Sequence, residues 1–415
     1  MKKNNKLLII LTSCIIIILL LISKVIIPCI RMYEQKQIIK NAKVIVNLNE
    51  NLNVKFNSDT KVSSLIKDLN GTILNDKDLK TNEIGTQKIT FEYENEDNIK
   101  IPYTIEYNVV DETPPVVWLS SSYTINVGTE PDFYKDILCG DDLDNNPECI
   151  IEGEYNTEKS GSYQLNFKAK DNSGNITNIP FTLFVKDPQK TTNNSSTSTI
   201  TKPNRTNFQD VVNYYKTPTT KIGIDVSGWQ GDIDFEQVKK SGLEFAILKV
   251  GGTFGIDGEY YLDSKFKQNI EGFNRVGIPV GIYFFSYAKS KESAIKDAEW
   301  VYDQIKDYKI DLPVVYDWEN WSFYNEFNLS FNNLTKNAEA FLDTLSDKGY
   351  KGMLYGSKNY IDKIWLKQKY PIWVAHYTTD KSISYEEYAY WQICDNGQID
   401  GINGNVDIDI MYVKE

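Results

Sequence analysis

The sequence predicts a multidomain chain: an N-terminal transmembrane helix, two small all-β sandwiches and a C-terminal α/β barrel. Three observations carry that prediction. An uncharged apolar run opens the chain, period-two alternation broken by Asn, Asp and Gly fills residues 44–187, and short apolar strands alternate with amphipathic stretches over residues 221–415. At 415 residues the chain is too long for one ordinary domain. It is 41% hydrophobic and 25% charged, a balance that folds rather than stays disordered.

Charge and composition exclude several function classes. A net charge of −12 argues against nucleic acid as a partner, because a phosphate-binding face needs clustered Lys and Arg. The single histidine, His376, rules out a zinc site built from several imidazoles and leaves a Ser-His-Asp enzyme one residue to use. No metal and no cofactor is expected. Carboxylates are plentiful, so hydrolysis by paired acids leads. The five cysteines contain no CxxC, and Cys139 and Cys149 are close enough to bridge in an oxidising compartment. With 27 Tyr and 8 Trp, the aromatic content fits either a β-rich core or a surface that stacks on sugar-like ligands.

At the N-terminus, Lys2, Lys3 and Lys6 precede an uncharged run from Leu7 to Ser23, followed by Lys24 and then Val25, Ile26 and Ile27. Residues 7–27 make about 30 Å of helix at about 1.5 Å per residue, enough to cross a bilayer. No small-residue cleavage site follows. The expectation is an uncleaved single-pass anchor with residues 1–6 cytoplasmic and the remaining chain extracellular.

Residues 44–110 alternate, as in Lys88-Ile89-Thr90-Phe91-Glu92-Tyr93, which means short antiparallel strands and a small β-sandwich. Residues 111–187 repeat the theme. They open Asp111-Glu112-Thr113-Pro114-Pro115, continue through Gly161-Ser162-Tyr163 and carry Asp171-Asn172-Ser173-Gly174-Asn175 before a last strand. These motifs resemble the bacterial Ig-like modules of surface proteins, whose partners the residues do not name. Turn chemistry explains Asp171 and Asn172 better than calcium does. Residues 188–220 are rich in Thr, Asn and Ser and read as a flexible linker.

In residues 221–415 the expected strands are Ile222–Val226, Phe245–Val250, Val280–Phe285, Val314–Trp318, Gly352–Tyr355, Ile372–Ala375, Tyr390–Ile393 and Asp407–Met411. The clearest helical stretches are Lys291–Lys306 and Asn332–Asp347. This alternation predicts a parallel α/β barrel, in which chemistry gathers at the C-terminal ends of strands. Those ends are acidic: Asp225 on the first, Asp317 and Glu319 on the fourth, Asp407 on the last. Asp317 and Glu319 project to one face with Cα atoms about 6.6–6.8 Å apart. That brings two carboxyls into the range needed across a glycosidic bond. Repulsion and partial burial would raise one pKa and leave the other carboxyl ionised. The same pair reads equally well as two carboxylates at a solvated strand end.

Five segments then carry a specific resemblance: GIDVSGWQGDIDF, PVVYDWEN, IWVAHY, YWQI and GNVDIDIMY, in order across residues 221–415. Together they resemble the glycoside hydrolase family 25 muramidases. The resemblance implies a TIM-like (β/α) barrel and hydrolysis of the β-1,4 bond after N-acetylmuramic acid in peptidoglycan. It implies Glu319 as general acid, Asp317 as its acidic partner, and Asp225 and Asp407 lining the same pocket. The substrate acetamido group would act as nucleophile, with Asp317 orienting it, or Asp317 would attack directly. Tyr283, Phe285, Tyr355, Trp373, Tyr377 and Gln392 are expected to line the glycan cleft. A lone histidine beside a strand end, His376 reads as structural. The expectation is a surface-exposed, membrane-anchored muramidase acting on peptidoglycan glycan strands at the cell wall. The rival is a non-catalytic wall-glycan receptor on the same barrel.

Overall fold

The computed structural model of the chain describes residues 24, 26–187, 205–319, 328–378 and 385–413. They fall into two compact units, residues 1–112 and 113–415.

The N-terminal unit corrects the first expectation. Among the described residues no helix is long and apolar enough to cross a membrane. The helix that is described, Ile27–Asn41, carries Arg31, Glu34, Lys36 and Lys40 and buries no residue, so its composition is that of a solvated helix. The apolar run at residues 7–23 lies outside the described residues. The membrane partnership and single-pass placement expected from that helix have no other support.

The remainder of this unit is β-structure. Strands Asn53–Lys55, Lys100–Val110, Gly85–Asn95 and Gly71–Ile73 form one sheet in that order, its first pairing parallel and the others antiparallel. Val46–Leu48 pairs with Ile66–Leu69. Period-two alternation sets the core, with Phe91 and Tyr93 on one strand packed beside Ile101, Ile105, Tyr107 and Val109 on the next. Asn95 Oδ1 accepts from the Asp97 and Ile99 amides and closes the hairpin turn.

In residues 113–415 a β module precedes the barrel. Its sheet runs Glu148–Glu152, Gly161–Lys170, Ile176–Lys186, Ser122–Asn126, with the last pairing parallel. A second ladder joins Val116–Trp118 to Leu138–Gly140. The core holds Phe133, Leu165, Phe167, Phe181 and Leu183, and a disulfide links Cys139 to Cys149. Asp171 closes a turn by accepting from the Asn175 amide and side chain. The module is packed against the barrel through Val116, Trp118 and Leu138, so it is more than a free spacer.

The barrel begins earlier than Lys221. Thr206–Asn207 pairs with Gly397–Gln398, and helix Phe208–Tyr215 buries Phe208 and Val211 in the barrel's outer core. Eight strands make the ring: β1 (Thr220–Val226), β2 (Phe245–Thr253), β3 (Val280–Phe285), β4 (Val314–Asp317), β5 (Gly352–Ser357), β6 (Ile372–Ala375), β7 (Tyr390–Gln398) and β8 (Val406–Tyr412), while a short strand Tyr260–Leu262 folds back antiparallel on the end of β2. Strands β1 to β7 pair in parallel in sequence order, and β8 closes the ring antiparallel to both β7 and β1. The wholly parallel expectation is corrected there: only a short connection separates β7 from β8, and a parallel return needs a dozen or more residues.

Helices α1 (Phe235–Lys240), α2 (Phe266–Val276), α3 (Lys291–Ile305), α4 (Phe331–Asp347) and α5 (Lys358–Lys363) fill the first five crossovers. Asp234, Ser290, Ser330 and Ser357 cap α1, α3, α4 and α5 by accepting first-turn amides. On α4 the buried positions Phe331, Leu334, Ala338, Phe341, Leu342 and Leu345 follow the helical repeat and pack on the strands. Inside the ring, Phe245, Val315, Met353, Tyr390 and Met411 fill the floor. Gly223 is required there: a Cβ would lie 2.4 Å from the Phe245 ring.

Candidate active site

Above that floor, the inward positions at the strand ends are polar. Strand β1 supplies Asp225, β4 Asp317 with Glu319 just beyond, β7 Gln392, and β8 both Asp407 and Asp409. The two-residue period explains the arrangement, since Asp407 and Asp409 share a face and Asp407 lies opposite Asp225 in the ladder. All four expected carboxylates, Asp225, Asp317, Glu319 and Asp407, are therefore brought to one end of the barrel.

Gln392 organises this end. Its Nε2 donates to Asp225 Oδ2 at 2.7 Å, and its Oε1 accepts the hydroxyls of Tyr355 at 2.9 Å and Tyr377 at 2.8 Å. Trp373 Nε1 donates to Asp409 Oδ1 at 2.9 Å. Asp317 is buried, and its Oδ1 has no hydrogen-bond partner among the described residues. Glu319 keeps solvent access at the mouth of a cavity of about 410 Å³ that it lines with Tyr355, Ser357, Lys358, Ala375, His376 and Tyr377.

Burial raises the proton affinity of every carboxyl in the group. Asp225 is pushed up by loss of water and by Asp409, against the hydrogen bond from Gln392. Asp317 rises through burial and the charge of Glu319. Glu319 rises because the protein walls displace water around it, while a bond to Tyr355 pulls it back. Asp407 is pushed up to about 9 by burial and by Asp225, and Asp409 rises through burial and Asp407. The charge of Lys249 opposes the rise at both Asp317 and Glu319. Like charges crowded in a dry site cannot all ionise, so the group retains protons that isolated carboxylates would lose.

Lys249 and Asp409 belong to this site without having been singled out in the sequence. Lys249 Nζ lies 5.0 Å from the Phe285 ring centroid, 5.7 Å from Tyr261 and 5.9 Å from Tyr283. Its signal was present as one charge inside an otherwise buried strand, two residues on from Ile247. Among the expected cleft side chains, Tyr283 and Phe285 are half-buried around Lys249, and Tyr377 is half exposed at the mouth. Tyr355, Trp373 and Gln392 are buried and hold the carboxylates from below. His376 hydrogen-bonds the Tyr385 hydroxyl through Nδ1, and its backbone carbonyl accepts from Trp391 Nε1. Trp229, just after β1, is 91% exposed.

The barrel that carries these carboxylates is similar in sequence to known proteins. The model of the family described as "Glycosyl hydrolases family 25" matches residues 224–402. The autolytic lysozyme of Clostridium acetobutylicum is 30% identical over 189 residues, which cover 45% of this chain and 54% of that one. The uncharacterized protein YegX of Escherichia coli K12 is 31% identical over 197 residues, covering 45% and 68%. Lysozyme M1 of Streptomyces globisporus is 26% identical, covering 45% and 65%. The chain thus spans about half the length of the autolytic lysozyme it matches. The matched stretch holds Asp225, Asp317, Glu319 and Gln392 on one barrel, and by this similarity the chain belongs to glycosyl hydrolases family 25.

Proposed function

We propose that the chain is a peptidoglycan hydrolase that cleaves the β-1,4 bond between N-acetylmuramic acid and N-acetylglucosamine. The observation that carries this reading is the pairing at the end of β4: a buried Asp317 with an acceptor oxygen lacking a hydrogen-bond partner among the described residues, and a raised Glu319 at the cavity mouth. Glu319 donates its proton to the glycosidic oxygen as the C1–O bond breaks. The carbonyl oxygen of the substrate's 2-acetamido group attacks C1, and Asp317 accepts the acetamido N–H as that group becomes cationic. Accepting this bond favours ionised Asp317 and leaves the pair's shared proton on Glu319. Water then opens the cyclic intermediate, giving up its proton to Glu319 and restoring the acid. Asp225 and Asp407, which hold their protons through burial, line the pocket beside Asp317 without opposing its charge, and Tyr283, Phe285 and Tyr377 offer faces and edges to sugar rings.

The names of the lysozyme relatives support the substrate, and a disulfide at Cys139–Cys149 fits an oxidising, extracellular place of action. The motifs of residues 111–187 read as an Ig-like surface module in that setting.

The test incubates the purified full chain, beside Glu319→Gln, with insoluble peptidoglycan and analyses the borohydride-reduced fragments by mass spectrometry. Fragments ending in reduced muramic acid from the wild type alone are expected. Reduced glucosamine ends would place the cut at the other bond. Wall binding without release by either protein would favour the glycan-receptor reading.

A further inference from the structure

We propose that the β module of residues 113–187 is a positioning device for Glu319, acting through Trp118 and Asn145. The inference rests on the reading of Glu319 as the acid.

Two independent contacts converge on the chain flanking Glu319. The first is aromatic. Trp118, on the module strand Val116–Trp118, stacks on Tyr360 of α5 with ring centroids 5.4 Å apart and planes at 22°. Lys363, one turn along the same helix, places Nζ 5.7 Å from the Trp118 ring, so the indole is gripped by an i,i+3 pair. Tyr360 in turn donates its hydroxyl to the backbone carbonyl of Glu319 at 2.8 Å and leans on the Trp318 ring at 5.9 Å. The chain of contact thus runs from module to α5 to the backbone of the acid itself.

The second contact is polar and falls on the first turn of α4, the helix that follows β4. The first amides of a helix have no partner within it and need one from elsewhere. Here the module supplies them. The Phe331 amide donates to the Asp141 carbonyl at 2.8 Å and the Asn332 amide to the Asp142 carbonyl at 3.0 Å. Asn145 Oδ1 accepts from the Ser330 amide at 2.7 Å and from Asn333 Nδ2 at 2.9 Å. Asp141, Asp142 and Asn145 all lie between Cys139 and Cys149, so the disulfide closes the loop that caps α4. A module serving only as a spacer would have no reason to cap a barrel helix and brace the neighbour of the acid together.

Trp118 and Asn145 touch no expected substrate atom; they act by fixing where Glu319 sits. Misplacing a catalytic group by an ångström costs rate far more than binding. The test uses the full chain with Trp118→Ala, Trp118→Phe, Asn145→Ala and Asn145→Asp, assayed on solubilised uncrosslinked peptidoglycan and by backbone hydrogen exchange. Expected for Trp118→Ala is a fall in kcat of about tenfold with KM within about twofold, and an alkaline limb moved to lower pH as water reaches Glu319. Trp118→Phe, which keeps a stacking ring, and Asn145→Asp, which keeps the acceptor, should recover most of the rate. Asn145→Ala should speed exchange at Phe331 and Asn332.

Wild-type kcat and pH profile in Trp118→Ala would overturn the proposal. So would a loss that merely follows the folded fraction and is shared by Trp118→Phe. If the wild type releases no fragments, the hydrolase reading fails separately, and exchange decides the bracing: faster exchange across residues 317–319 and 331–332 in the Ala variants supports it, and unchanged exchange overturns it.

Discussion

Gln392 Nε2 donates to Asp225 Oδ2 at 2.7 Å, joining the first and seventh barrel strands beneath the cleft. The amide presents a donor to a carboxylate from Nε2 and an acceptor to two phenols from Oε1, and Tyr355 and Tyr377 occupy that acceptor. Gln392→Leu removes all three bonds in a buried place. We expect a loss of about 1–3 kcal/mol of unfolding free energy, because the polar groups left behind keep their desolvation cost. Urea denaturation measures it, and an unchanged midpoint with an unchanged slope would show that these bonds carry no net stability.

The charge of Lys249 acts on both Asp317 and Glu319 and lowers the proton affinity of each. Lys249→Met keeps the apolar stem among Tyr261, Tyr283 and Phe285 and removes the charge. Both carboxyls should then hold their protons to higher pH. The acid and alkaline limbs of the kcat/KM profile should both move upward. A profile that keeps its limbs while falling in height would mean that Lys249 serves substrate binding instead.

The division between what was legible in the sequence and what was not follows from the range of each signal. Strand ends, caps and inward carboxylates are local: a two-residue period puts Asp407 and Asp409 on one face, and a serine before an apolar repeat starts α4. Direction is not local, so the alternation Val406-Asp407-Ile408-Asp409 announced β8 without revealing that it runs antiparallel. Helix Phe208–Tyr215 has the right apolar spacing but follows a polar low-complexity run that masked it. The stacking of Trp118 on Tyr360 joins residues far apart in sequence, and neither carries a local sign of the other. At the N-terminus the apolar count alone suggested a membrane helix, while the described helix that follows is set by its charged residues.

Asp407 makes stability depend on pH. Its folded pKa of about 9 lies far above the ordinary carboxyl value of 3.8, since burial and Asp225 penalise the charged form. A raised folded pKa means that the native state binds the extra proton. Its contribution is complete below about pH 4, where the unfolded carboxyl is protonated too, and is lost as pH rises towards 9. Melting temperature should therefore fall across that window. Asp407→Asn, neutral at every pH, should flatten part of the fall, and thermal melts at pH 5, 7 and 9 compare the slopes. Parallel curves for the two proteins would assign the pH dependence to other groups.

Asp317 should show activity and stability pulling in opposite directions. Its side chain is buried, its Oδ1 lacks a hydrogen-bond partner among the described residues, and Glu319 repels its charge. Holding an ionised carboxylate there is unfavourable for folding, and the proposed reaction is what gives that charge a use. Asp317→Asn removes the charge with little change of shape. At pH 8 the variant should melt above the wild type, and the gap should close below about pH 3, where the wild-type carboxyl is protonated in either state. Over the same variants kcat should drop by about 100-fold or more, because an amide cannot stabilise a cationic acetamido group as a carboxylate does. A variant that is both less stable at pH 8 and fully active would contradict the buried charge and its role together.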